Sequence, residues 1–366
     1  MEQNKSSQHK KSQKQNKFIS TMSKKYNEFL QKDFNLVKNF KFTVLIPVVI
    51  LLVAIIIFAC IGFNLGIDFT GGTILKVKFG TDISNTEYNN YRSSIENILK
   101  TNGINNFTMQ KEGSTTEASV SVKFQDVKGK SEAQMNSLVE TVKTQIEEQL
   151  NPNNAIPSFN VEDNQRIGAS ASSSLLTNAL LAVSIAIVLM LIYIAIRFEF
   201  ASGIAAIIAL LHDVLLMCAF VIICRIQINS SFIAALITII GYSINNTIVI
   251  FDRVRENLRR ESLQSKTNAE IVDISVKDTL TRTIYTALTT IVSVLLLAII
   301  GVSSIREFLF PIIFGLFAGT FSSIFISGPI WSYIYKKDKD KRLKKKLEQE
   351  KNKDKNKAIP EDKIVV

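Results

Sequence analysis

Histidine and cysteine are scarce in this chain, two and three among 366 residues. Two histidines argue against a His-ligated metal site. Cys60, Cys218 and Cys224 all fall in or at the ends of apolar runs. Their spacing fits neither a metal site nor a disulfide framework, so they read as small hydrophobes. Charge is missing over long stretches as well. Uncharged runs extend from Phe42 to Ile67, Ile167 to Ile196, Ile226 to Ile250, Thr283 to Ile305 and Phe308 to Tyr335. A sixth, Ala201 to Cys224, is interrupted only by His212-Asp213. Each exceeds the ~20 residues that cross a ~30 Å hydrocarbon core, which excludes an ordinary soluble domain. The first run is too long for a signal peptide and lacks a small-x-small cleavage site, so it reads as an uncleaved span.

What is present is an excess of positive charge, 43 Lys and Arg against 32 Asp and Glu. Of those 43 cations, 31 lie in residues 1–41, the 197–200 turn, 251–282 and the 336–366 tail, which are alternate connections between spans. The positive-inside rule then puts both termini in the cytoplasm of a multi-pass membrane protein. The two basic tails, 1–41 and 336–366, are low-complexity and lack an apolar face. They are expected to be disordered, apart from a short helix around Leu343 and Leu347, and to meet anionic lipid headgroups rather than nucleic acid. The spans are placed at 42–64, 172–196, 201–224, 228–250, 283–304 and 308–335, with a cytoplasmic loop over 251–282.

Residues 65–168 alternate differently. In TILKVKF, Leu75, Val77 and Phe79 share one face of a strand and Lys76 and Lys78 the other. Tyr88, Tyr91, Ile95, Ile98 and Leu99 recur at helical spacing, with Ser84 to Thr86 as N-caps and Gly103 as a stop. A hairpin follows, Phe107 to Gln110 and Ala118 to Phe124 about a turn at KEGSTTE, then a helix over Ser131 to Leu150 and a strand at IPSFNVE. The β-α-β-β-α-β order predicts an extracytoplasmic ferredoxin-like α+β domain. It holds no nucleophile–base pair, ligand cluster or phosphate loop. That points to a moving or binding part, not an enzyme, and implies no cofactor.

Three polar features stand out. LGIDFTGGT joins the first span to this domain. Its Gly66, Asp68, Phe69, Gly71 and Gly72 read as a sharp junction at which Asp68 can accept from nearby backbone N–H groups. The second is Asp213, at the middle of the third span, where a carboxylate costs about 2.5–3.5 kcal/mol to insert. His212 and Arg282 are its candidate partners. His212 and Asp213 are ~100° apart on a helix, so they are expected to serve different contacts. The third is Ser243-Ile244-Asn245-Asn246-Thr247, an amide-bearing step inside an apolar span. Asn246 precedes Asp252 by six residues, about 9 Å at ~1.5 Å per residue. Gly315 and Gly319 would let helices pack closely.

Together LGIDFTGGT, His212-Asp213-Val214, Gly241-Tyr242-Ser243 and Asp252-Arg253-Val254-Arg255-Glu256-Asn257, in this order and topology, resemble the SecD/SecF family of protein-export membrane proteins, and SecF within it. The resemblance covers nearly the whole chain. It implies an RND-type half of six spans and a SecD-type partner half. It also implies a role beside the SecYEG channel and SecA, helping a preprotein substrate across the bacterial cytoplasmic membrane with H⁺ or Na⁺ as coupling ion. In the family the second residue of the polar pair is usually aspartate, paired with an arginine at the start of the fifth span. Arg282 in TLTRT keeps the arginine, and Asn246 replaces the acid with an amide that cannot exchange a proton near neutral pH. An amide can still orient water or coordinate Na⁺. Two other readings stay open: an RND-type half-transporter for a small molecule or lipid, and a scaffold of the channel with no ion coupling.

Overall fold

The structure, a computed structural model, describes residues 35–337 apart from 81–82, 113–117, 128, 153–154, 157 and 302. The sequence readings on both tails and most of the KEGSTTE turn fall outside the described residues. The first apolar run forms α1 (Phe40–Ile61), whose side chains are mostly exposed apart from Pro47 and Ala54. That is the pattern of a helix bathed in lipid on most sides.

A short helical turn, Ile67–Thr70, leads into four strands and two helices: β1 (Gly72–Lys78), α2 (Asn85–Thr101), β2 (Phe107–Glu112), β3 (Ser119–Gln125), α3 (Glu132–Leu150) and β4 (Asn160–Ile167). Both helices start at capping boxes, Ser84 with Glu87 and Ser131 with Gln134. In each, the hydroxyl accepts from the third helical N–H and the longer side chain reaches back to the cap. The strands pair antiparallel in the order β2-β3-β1-β4. Leu75, Val77, Val120 and Val122 lie wholly buried on one face, under Ile95 and Leu99 of α2 and Val142 and Ile146 of α3. The other face carries Lys76, Lys78 and Lys123, which reach Glu112, Glu162 and Glu307.

The described residues that follow are mostly helical: α4 (Ala169–Arg197), α5 (Phe200–Ile223), α6 (Ser230–Arg259), α7 (Asn268–Ile300) and α8 (Ser303–Ser322). A π-helical turn, Ser323–Ser327, follows α8, and the apolar helix continues to Lys337. With α1 this gives, among the described residues, six helices long and apolar enough to cross a membrane. The 251–282 connection between spans is mostly helix, since α6 runs to Arg259 and α7 begins at Asn268. The SSIREF stretch already belongs to α8.

α8 packs closely on α6 because its glycines present no side chain there. A Cβ on Gly315 would sit 2.5 Å from Ile239 Cγ1, and one on Gly319 would sit 3.2 Å from Ser243 Cβ. The approach of these two helices builds the polar centre described next.

Candidate functional site

Asp213 projects from α5 into the middle of the helix bundle and is wholly buried. Oδ2 accepts from Ser243 Oγ of α6 and from Ser322 Oγ of α8, the latter at 2.8 Å. Oδ1 lies 2.9 Å from His212 Nδ1. Three helices therefore converge on one carboxylate, each through a polar atom. Burying a charge without such partners would cost several kcal/mol, so this packing and its hydrogen bonds stand or fall together.

The expectation that His212 and Asp213 serve different contacts is overturned. The 100° offset describes Cβ directions, and the rotatable carboxylate and imidazole close that gap. The His212 ring stacks on Phe321, with centroids 6.1 Å apart, and its side chain is 11% exposed. Its other nitrogen, Nε2, is buried with no hydrogen-bond partner among the described residues. Ser322 was not singled out from the sequence. The only signal was the hydroxyl-rich SSIFIS run, which a helix can satisfy internally and which therefore carries little information.

Asn246 lies one turn beyond Ser243, is 3% exposed, and its Nδ2 has no hydrogen-bond partner among the described residues. Arg282 is not brought to it. The Arg282 side chain is exposed on α7 and makes no ion pair or side-chain hydrogen bond among the described residues. Asp213 is paired with His212, not with Arg282. Asn245 is exposed too, on the side of α6 away from the Asp213 centre.

At the junction, Gly71 and Gly72 take φ of +75° and +157°. A Cβ on Gly72 would run into the Phe124 carbonyl, so that position is closed to any side chain. Asp68 does not cap its own turn. Its Oδ2 accepts from Ser230 N at 2.8 Å, at the start of α6, where a carboxylate complements the helix dipole. Phe69 is buried, and Gly66 N donates to Ile228 O at 2.9 Å. The junction therefore clips the sheet domain to the α5–α6 connection. Glu307 of α8, which the sequence reading missed, completes the joint. It accepts from Lys123 Nζ at 2.8 Å, Gln110 Nε2 at 3.0 Å and Asn229 Nδ2 at 2.7 Å. Nearby, Asp126 has its carboxyl pushed above the usual range by burial, with Arg166 pulling it down and Glu132 adding to the rise.

The Asp252–Asn257 motif acts as a clamp between helices. Asp252 accepts from Arg197 at 2.8 and 3.0 Å and lies 3.9 Å from Arg255. Arg253 bridges Glu256 and Asp278, and Asn257 is fully buried with Nδ2 on Ser275 Oγ at 2.9 Å. These contacts tie α4, α6 and α7 together.

Comparison with known proteins matches this architecture. The model of "Protein export membrane protein SecD/SecF, C-terminal" covers residues 145–337, and the SecD/SecF GG motif covers 61–83, which contains Gly71-Gly72. A protein translocase subunit SecF from Rickettsia bellii is 34% identical over 298 residues, 81% of this chain and 92% of the relative. The SecF subunit from Borreliella burgdorferi is 34% identical over 84% of this chain and 99% of the relative. The crystal structure of SecDF, a translocon-associated membrane protein from Thermus thermophilus, superposes with a TM-score of 0.64 at 27% identity. That match covers 84% of this chain, which spans 39% of the SecDF chain. The chain belongs to the SecD/SecF family of protein-export membrane proteins.

Proposed function

We propose that this chain is a SecF-like accessory subunit of the Sec translocase that pairs with a SecD-type half and uses an ion gradient to move preproteins. Membership of the family and the near-complete coverage of SecF relatives support the subunit assignment. That this chain spans only 39% of the SecDF chain fits one half of a two-part machine. The outward placement of Asn245 and Arg282 supports a second half as well. Polar groups at membrane depth face a protein or water cavity, and an exposed Arg282 needs a counter-charge from outside this chain. We place both termini in the cytoplasm, beside SecYEG and SecA, on the distribution of Lys and Arg. The sheet domain is then extracytoplasmic, and the order β2-β3-β1-β4 supports reading it as a ferredoxin-like unit suited to holding or moving a polypeptide. The role is mechanical and not enzymatic.

The observation that carries ion coupling is Asp213, a carboxylate wholly buried where three membrane helices meet. It offers an ionisable group where Asn246 cannot. The test is export of a secreted reporter in cells whose only copy carries Asp213→Asn, with protein level followed by blot. Export reduced to the level of the deletion, at normal abundance, supports coupling through Asp213. Unchanged export leaves this chain as the non-coupling scaffold that Asn246 suggests.

A further inference from the structure

We propose that a cavity between the sheet domain and the helix bundle holds the headgroup of an anionic phospholipid, one that carries a hydroxyl as phosphatidylglycerol does. The cavity, about 620 Å³, lies where β2 faces the α5–α6 connection and the first turns of α8. That is an ordinary size for a small-molecule site. Such a site needs only that these helices span a membrane, and it is independent of any coupling through Asp213.

The charge comes from two arginines. Outside the sheet domain, Arg225 and Arg306 are the cations at this end of the bundle, and both line this one cavity. Arg225 follows the Cys224 C-cap of α5 with φ at +54°, in the left-handed region where glycine is the usual residue. Ile226 N closes that turn on Val221 O at 3.0 Å. A large side chain kept at such a backbone position argues for a use of the side chain. Its Nη1 donates to Gly62 O at 2.6 Å, and Arg306 Nε donates to Ala298 O at 2.9 Å. Neither guanidinium has an ion pair among the described residues, so N–H groups remain on both. Glu307 also lines the cavity, but Lys123, Gln110 and Asn229 already donate to its carboxylate. A phosphate, whose oxygens accept from the planar guanidinium fork, fits this surplus of positive charge at the ends of membrane helices.

Gln110 selects the rest of the headgroup. Its Nε2 is held by Glu307, so the amide atom left over is Oε1, which is buried with no hydrogen-bond partner among the described residues. A buried acceptor in that state calls for a donor, and a glycerol hydroxyl supplies one beside the phosphate. An ethanolamine ammonium would donate too, but would bring a positive charge next to two arginines. The way out of the cavity is apolar. Phe310, 41% exposed, lines it from α8, and Ile61 and Phe63, both exposed, flank the Gly62 carbonyl that holds Arg225. Acyl chains leaving the headgroup therefore run onto lipid-facing helix surface, which a soluble phosphate ester would not need. Because β2 forms one wall and the bundle the other, a bound lipid ties the two together beside Glu307.

The experiment uses the full chain, purified in detergent and exposed to an equimolar mixture of phosphatidylglycerol and phosphatidylethanolamine, with native mass spectrometry of what it retains. The expected result is one retained phosphatidylglycerol, preferred by about tenfold, the scale of one good charge-assisted contact. Phosphatidylmethanol, equally anionic but without a hydroxyl, should be retained several-fold less. Arg225→Gly, which suits the left-handed turn, and Arg306→Gln should each lose most of the preference at an unchanged thermal midpoint without added lipid. Arg92→Gln, on the exposed side of α2, should keep it. An unchanged preference in both cavity variants overturns the site, and so does an equal loss in Arg92→Gln, which would mean general charge attraction. Equal retention of phosphatidylmethanol overturns the part given to Gln110. Glycerol phosphate titrated into delipidated protein separates the two sources of phosphate. If it binds in an Arg225-dependent way while no phospholipid is retained, the ligand is a soluble ester and the lipid assignment falls.

Discussion

Ser322 contributes one hydrogen bond to Asp213, at 2.8 Å in a site closed to water. Its alternative acceptor is the Gly319 carbonyl at 3.3 Å, so the hydroxyl is not idle without the carboxylate. Removing it leaves Oδ2 with Ser243 alone. Ser322→Ala should cost about 1–3 kcal/mol, the range for a bond to a buried charged group. The purified protein's thermal midpoint in detergent would read this; an unchanged midpoint would mean that Ser243 and His212 suffice. Asp126 tests the opposite sign. Its raised carboxyl means that the fold favours the protonated form. Its contribution to stability is complete below the ordinary carboxylate range and is lost as pH rises through the raised value. Asp126→Asn should therefore make the sheet domain more resistant to exchange at neutral pH and flatten its dependence on pH. A variant that loses protection at neutral pH would show that the Arg166 attraction, not burial, governs this site. Asp213 and Asn246 were legible in the sequence because a polar group in an apolar run has no ordinary reason to be there. Ser322 and the outward direction of Arg282 were not, since both depend on which helix face meets which neighbour.

Helices and strands were legible where a period is enforced by one buried face. The β1 alternation around Leu75 and Val77 and the helical spacing of Ile95 and Leu99 both face the same core. Helix ends near the Asp252–Asn257 motif were not legible. Charge was taken to end a span, whereas Asp252, Arg253 and Asp278 pair across helices and let α6 and α7 run on. The α6–α8 contact follows the glycines instead. Gly315→Leu would drive a side chain into Ile239, where even a Cβ would be 2.5 Å from the nearest atom. Overpacking of this kind costs about 1–3 kcal/mol, and it also withdraws Ser322 from Asp213. The expected result is a lowered midpoint together with loss of gradient-driven export. A drop in stability with export intact would separate helix packing from the Asp213 centre.

At the scale of the molecule, a polar joint holds the sheet domain to the helix bundle. A parallel bridge pairs Leu65 with Ile228, with Ile228 N donating to Asn64 O at 2.8 Å. Asp68 takes the Ser230 amide, and Gln227 Nε2 donates to Thr108 Oγ1 at 3.0 Å. Glu307 binds both halves at once, since Lys123 and Gln110 come from the sheet and Asn229 caps α6. The Lys123 and Glu307 side chains are only 14% and 13% exposed, so water screens this pair weakly. A domain that moved against the bundle would have to break this carboxylate's bonds first. Glu307→Ala should thus weaken docking by about 1–3 kcal/mol, the cost of leaving its buried donors unpaired. Hydrogen exchange at the Gly66, Ile228 and Ser230 amides, which all donate across the joint, would accelerate accordingly. Amides of Val77 and Val120, inside the sheet ladder, should keep their rates. Equal acceleration in both sets would mean that the sheet itself had loosened, and no acceleration in either would mean that the junction glycines and Asp68 hold the domain without Glu307.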